Sequence, residues 1–203
     1  MKKNKNKIGI LGTGGIGGLL AILLSNNKNE IYCSNKKGDF GKFKLTLNSI
    51  HFGKKTKIIN FTNKNFKNFD YIFICVKYYQ LRSALKKIDS KTNKIIIPLL
   101  NGISHFELLK KKFKKKMIVS NIGKIISFKK NRIITHKSPN SPVIMMSSKN
   151  QKKINDVIEI LKSSKIKTVI NKNENAVIWT KFIRLSAISA ITSLYNCNLG
   201  KIR

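Results

Sequence analysis

The sequence predicts an α/β fold on a doubly wound, mostly parallel sheet, followed by the start of a helical second domain. Three observations carry that prediction. A short apolar run near the N-terminus leads through a glycine-punctuated turn into an apolar helix. Short β-branched runs then alternate with amphipathic stretches, and the chain closes on a long helix that is apolar around most of its circumference. Strands alternating with helices in this way pack as a parallel sheet covered on both faces. Residues 1–170 are therefore expected to form one domain and residues 171–203 the beginning of another.

The first stretch, Lys7 to Ser25, sets the rest. Ile8, Gly9, Ile10 and Leu11 read as a buried strand, and Leu19, Leu20, Ile22, Leu23 and Leu24 as a helix packed on a sheet. Between them Gly12, Gly14 and Gly17 stand in G-x-G-x-x-G spacing. The first glycine permits a tight turn, the second lets a pyrophosphate approach the backbone, and the third lets helix and strand pack closely. The phosphate then meets unpaired N–H groups at the positive end of the helix. A Rossmann-type dinucleotide site is thus predicted, with Gly12, Thr13, Gly14, Gly15, Ile16 and Gly17 at the cofactor. Lys2, Lys3, Lys5 and Lys7 before an apolar run resemble the charged region of a signal peptide. Six glycines between Gly9 and Gly18 make a poor hydrophobic region, however, and Asn26, Asn27 and Lys28 follow where a small-residue cleavage site would stand.

Composition bounds the remaining choices. At 203 residues and 41% hydrophobic the chain has room for one ordinary domain and part of a second. No segment after the first helix reads as a membrane span, so a soluble, cytoplasmic protein is expected. Cys33, Cys75 and Cys197 are isolated and set among apolar residues, as small hydrophobes in a reducing compartment are. With His51, His105 and His136 equally scattered, no metal site is predicted. The charge is extreme, with 42 Lys+Arg against 8 Asp+Glu and a formal net charge of +34. Such a balance favours polyanion binding. Here the basic residues are mostly lysine, spread evenly and accompanied by Asn and Ile, the bias of an A/T-rich genome. No interleaved aromatic signature for nucleic acid appears, and neither a specific nucleic acid nor a membrane is expected as partner.

Along the chain, Glu30 to Ser34 reads as the second strand. An NAD-specific site carries an acid about 20 residues past the fingerprint; here Asn35, Lys36 and Lys37 follow, which favours NADP(H). Phe43 to Phe61 alternates around Gly53 as antiparallel strands inserted into the sheet. Asp70 to Val76 is a buried strand, Tyr78 to Ile88 a helix, and Lys94 to Pro98 another strand ending in the loop Leu99–Gly102. Ser104 with Glu107 three residues on predicts a capping box. Met117 to His136 predicts a hairpin around Lys129–Asn131, Pro142 to Ser147 a strand, Gln151 to Ser163 an amphipathic helix, and Ile166 to Val169 a last strand. Ala176 to Tyr195 is the long apolar helix. A helix of that kind belongs in a helical interior, so the expectation is that a partner chain or second copy covers it, or that the protein lacks material that once did.

Four motifs in register resemble the ketopantoate reductases (2-dehydropantoate 2-reductases): GTGGIG, VKYYQ at Val76 to Gln80, PLLNG at Pro98 to Gly102, and the segment Trp179 to Arg203. The resemblance implies NADPH-dependent reduction of 2-dehydropantoate to pantoate, on the route to pantothenate and coenzyme A. It implies that Gly12, Gly14 and Gly17 hold the phosphates and that Lys36 lies at the 2′-phosphate. It places Lys77 and Gln80 beside the cofactor, Asn101 at nicotinamide and substrate, and Lys181 as the catalytic acid. The chemistry agrees with the last assignment: hydride reaching a ketone carbon leaves negative charge on oxygen, which a partly buried ammonium stabilises and protonates. One departure is Leu185, where the family carries an asparagine; Ser189 offers a hydroxyl one turn later. The family's later helices, which supply a serine and a glutamate to the substrate, lie beyond this match. A catalytically impaired dinucleotide-binding remnant is the alternative, and a polyanion-binding protein a more distant one.

Overall fold

The structure, a computed structural model, describes residues 5–91 and 95–202. Lys2, Lys3 and Lys94, which entered the sequence reading, lie outside the described residues. In chain order the elements are β1 (Asn6–Leu11), α1 (Gly15–Leu24), β2 (Asn29–Ser34), β3 (Gly41–Ser49), β4 (Gly53–Phe61), β5 (Tyr71–Ile74), α2 (Tyr78–Leu85), β6 (Ile95–Pro98) and α3 (His105–Phe113). They continue as β7 (Val119–Gly123), β8 (Ser127–Lys130), β9 (Ile133–His136), β10 (Val143–Ser147), α4 (Gln151–Ser163), β11 (Lys167–Ile170) and α5 (Glu174–Leu194).

The main sheet runs β6-β5-β1-β2-β4-β3-β9-β8. From β6 to β4 every neighbour is parallel, and β1 stands where the chain, having built outward through β2, returns to add β5 on the other side. That reversal is the point at which open α/β sheets bind ligands. The expected antiparallel insert is the β3–β4 pair, in register from Gly41↔Phe61 to Ser49↔Gly53 with Gly53 at φ +70° in the turn. The predicted hairpin is narrower than its sequence span. Only β8 and β9 form it, and β9 joins the sheet parallel to β3.

β7 goes elsewhere. It pairs antiparallel with β10, and β10 parallel with β11, in a separate three-stranded sheet. The Ile118 N–H donates to the Ile96 carbonyl (3.0 Å), which joins this sheet to the β6 edge of the first. The mostly parallel α/β architecture stands; its second half folds as a small sheet of its own because β7 takes an antiparallel partner.

α1 is apolar on all sides because it is enclosed on all sides: Gly17 through Leu24 are buried, against the main sheet, the β8–β9 hairpin and the core that also holds α4. α2, α3 and the start of α5 share a second core through Leu81, Leu85, Phe106, Leu109 and Val177. The capping box at Ser104 does not form. Ser104 is itself helical (φ −60°, ψ −20°) and its side chain makes no capping bond. Asn150 and Asn173 do cap, their side-chain oxygens accepting from the Lys153 N–H (3.0 Å) and the Asn175 N–H (2.9 Å).

Two expectations change at α5 and at the cysteines. α5 is 21 residues long with an 18-residue window of mean hydropathy 1.3, so by length and composition it is a segment that can cross a membrane. Within the chain α5 is largely uncovered: its one buried residue is Val177, while Trp179 is 45% and Leu194 78% exposed. Cys33 is buried as expected, but Cys75 and Cys197 are only half-buried.

Candidate active site

The site lies along one edge of the parallel strands. Pro98, Ile74, Leu11 and Ser34 are consecutive partners in register across β6, β5, β1 and β2. The loops leaving them therefore start at the same level: the Asn101 loop, the Lys77 segment, the glycine turn and the Lys36 turn. At about 4.8 Å per strand, the Asn101 loop and the glycine turn start about 10 Å apart.

The turn is built as its spacing predicts. Gly12 has φ +94°, a conformation side chains rarely adopt, and an added Cβ would stand 2.7 Å from Val76 Cγ1. Its N–H donates to the Ser34 carbonyl (2.8 Å), and the Cys75 N–H donates to the Leu11 carbonyl (2.8 Å), so the turn is fixed to the strand on each side. At Gly17 an added Cβ would meet the Gly12 carbonyl oxygen at 1.9 Å, the close helix–strand approach the fingerprint requires. Gly14 differs: nothing lies within 4 Å of the position its Cβ would take. It caps α1 without any side-chain bond, so the helix presents its N–H groups and its positive end beside an open space. Thr13 is buried and its Oγ1 is without a partner. This glycine turn, with open space at Gly14 and an unpaired hydroxyl at Thr13, fits a dinucleotide diphosphate. Gly15 is filled by the protein itself, since its Cβ would meet the Ser127 carbonyl oxygen at 2.2 Å. Ile16 is half-buried against the α1 core.

The remaining predicted positions divide. Lys36 and Lys77 are exposed. Gln80 Oε1 accepts from the Lys77 N–H (3.2 Å), so the Lys-x-x-Gln spacing closes the first turn of α2. The first carboxylate after β2, Asp39, is engaged by Asn35 Nδ2 (3.0 Å) and Arg132 (3.7 Å).

Lys181 and Asn101, 80 residues apart, are brought together: Lys181 Nζ donates to Asn101 Oδ1 (2.8 Å) and to the Ile122 carbonyl (2.5 Å). They line a cleft of about 280 Å³ between the Asn101 loop, β7 and α5. Burial, and then the neighbouring Arg184 charge, hold the Lys181 ammonium down at about 8. An ammonium has three N–H donors. Two are committed to the protein, which leaves one for a ligand.

Sequence reasoning missed several residues here. Asn121 lines the cleft and its Nδ2 donates to the Val177 carbonyl (2.5 Å), anchoring α5. Ser186 and the anticipated Ser189 both line the cleft, as does Leu185; the spacing 178, 181, 182, 185, 186, 189 is the helical stripe that would have found Ser186. His105 is fully buried with neither ring nitrogen bonded, and burial, then the Lys181 charge, push its pKa down to about 4. Among the described residues no cluster of three or more His, Cys, Asp or Glu is placed to hold a metal ion.

Residues 8–150 match the family described as ketopantoate reductase PanE/ApbA. The chain belongs to the ketopantoate reductase family. That match takes in the glycine turn, the Lys77–Gln80 segment and Asn101, while Lys181 lies beyond it. Other comparisons agree with this family. The uncharacterized oxidoreductase YkpB of Bacillus subtilis (strain 168) is 25% identical over 203 residues, covering 95% of this chain and 66% of its own length. The solved 2-dehydropantoate 2-reductase from Geobacter metallireducens GS-15 superposes with a TM-score of 0.79 at 15% identity, over 94% of this chain and 66% of that one. A D-mandelate dehydrogenase solved with NADH gives 0.76 at 17%, over 96% and 65%. The chain thus spans less than two thirds of the length of these relatives. Its fold is that of these oxidoreductases.

Proposed function

We propose that this member of the family reduces the 2-keto group of 2-dehydropantoate with NADPH, in the cytoplasm, as a step toward pantothenate and coenzyme A. The observation that carries the reading is the 2.8 Å bond between Lys181 Nζ and Asn101 Oδ1, made at the same sheet edge as the glycine turn. Gly12, Thr13, Gly14, Gly15, Ile16 and Gly17 would hold the dinucleotide, with Lys77 and Gln80 beside it. Bound there, it supplies a hydride. The chain's own part is the proton and the charge. Lys181 offers its third N–H to the ketone oxygen, stabilises the negative charge as the carbon is reduced, and gives up the proton that completes the hydroxyl. Asn101 and the Ile122 carbonyl hold the ammonium in place, and Asn101 Nδ2 remains available to orient the keto acid.

The preference for NADPH rests on the end of β2, where Ser34, Asn35, Lys36 and Lys37 carry no carboxylate for ribose hydroxyls. Residues 1–170 would form the cofactor domain and 171–203 the first helix of a helical domain, with a second copy or another chain segment over the apolar face of α5.

The test is NADPH oxidation by the purified chain with 2-dehydropantoate and other 2-keto acids. Lys181→Ala is expected to lower kcat by about 10²- to 10⁴-fold while NADPH still binds. Unchanged turnover in that variant removes Lys181 from the chemistry. NADPH binding without turnover in the native chain selects the catalytically impaired alternative.

A further inference from the structure

Three strands from the Asn101 loop, the same edge carries a second fixed ammonium. Ser34 ends β2 twenty residues after Gly14, the position where an NAD-type site holds its carboxylate. Its hydroxyl accepts a 2.8 Å bond from Lys87 Nζ, and its carbonyl accepts the Gly12 N–H at 2.8 Å. Ser34 is 1% exposed, so a single buried residue ties this cation to the glycine turn.

Lys87 is not one of the lysines that follow β2. It comes from the segment after α2, 53 residues further along the chain. Its carbonyl accepts the Phe66 N–H (2.7 Å), and Phe66 itself is packed beneath Gly9. The side chain is half-buried and reaches Ser34 already ordered. Its acceptor there is a neutral hydroxyl, which leaves the positive charge uncompensated by that partner.

We propose that Lys87 is the residue that selects the 2′-phosphate of the dinucleotide, with Lys36 at the exposed rim of the same subsite. The assignment rests on the NADPH reading above and names the group that performs it. A tethered, half-buried ammonium has lost most of its rotamer freedom before the ligand arrives, and it is screened by salt less than an exposed one. Lys36 and Lys37, both exposed, lack these advantages. A 2′-phosphate beside Ser34 offers the acceptor oxygens that the remaining Lys87 N–H groups need. The 2′-hydroxyl of NADH provides no charge there.

The experiment compares affinities for NADPH, NADH, 2′,5′-ADP and 5′-AMP by titration calorimetry, in the native chain, Lys87→Met and Lys87→Gln. The methionine keeps the aliphatic stem. The glutamine keeps an N–H donor toward Ser34 without the charge, and so maintains the tether should the methionine variant fail to fold. Either folded variant is expected to lose roughly ten- to hundredfold in affinity for NADPH and 2′,5′-ADP, with NADH and 5′-AMP within about twofold. Equal losses for phosphorylated and unphosphorylated ligands, or no loss, overturn the Lys87 assignment while leaving the dinucleotide reading intact. A native chain that binds NADH and NADPH equally overturns the 2′-phosphate preference as well. One that binds neither overturns the cofactor reading itself.

Discussion

Lys181 shows how much one side chain takes from its surroundings. Its Nζ is held by an amide oxygen and a backbone carbonyl, and burial and the Arg184 charge both act against the ammonium. In the proposed mechanism the residue works protonated, as a general acid. The rate of keto-acid reduction, as kcat/KM, is expected to be level below about pH 8 and to fall tenfold per unit above it. A pH–rate profile that stays level to about pH 10 excludes Lys181 as the proton donor. The same shift affects folding. Between about 8 and the ordinary value of 10.5 the unfolded chain keeps a proton that the folded chain has released. This residue's contribution to stability therefore improves as pH rises through that window. Asn101 and Lys181 were legible from their motifs. Asn121 and Lys87 were not, because each acquires its place from a strand or loop far away in sequence, and no local pattern marks it among so many similar residues; Ser186 was marked only by the helical stripe it shares with Lys181.

The glycine turn and α1 act as one element, and its glycines do different work. Gly17→Ala is expected to destabilise the chain by several kcal/mol, because its methyl would occupy the Gly12 carbonyl and neither backbone can yield without moving β1 or α1. Gly14→Ala should leave thermal unfolding within about 2 °C of native and weaken dinucleotide binding, since its methyl enters only the open space beside the helix start. Scanning calorimetry and NADPH titration of the two variants separate these roles. Equal destabilisation would show that Gly14 is structural too. Elements of this kind were readable because hydrophobic period and turn residues are local: α4 was expected over Gln151 to Ser163 and forms over those residues. Strand partners are not local. Nothing within Met117 to Gly123 announces that β7 leaves for β10 while the β8–β9 hairpin crosses to the opposite edge of the main sheet.

The whole molecule carries its formal +34 as a field over a small body. Dinucleotides and keto acids are anions, so their association is expected to be accelerated, and to weaken steeply between about 0.05 and 0.5 M salt as the screening length shortens. Stopped-flow NADPH binding across that range measures it; a rate constant independent of salt would show that the charge does not reach the cleft. Beside that cleft, α5 meets the body through Val177, Asn121 and the Lys110–Glu174 pair (2.9 Å), and leaves Trp179, Ile183 and Leu194 exposed.

The seat of Gly15 under the Ser127 carbonyl links distant parts of this body mechanically. Ser127 Oγ also grips the Gly15 carbonyl at 3.0 Å, and its hairpin is laced through β9 to β3 and on to β4. A push on the start of α1 is thereby delivered to the outermost strands. The hairpin works as a strut for the glycine turn, and loosening its tip at Asn131 and Arg132 should weaken the proposed dinucleotide binding, which neither residue touches.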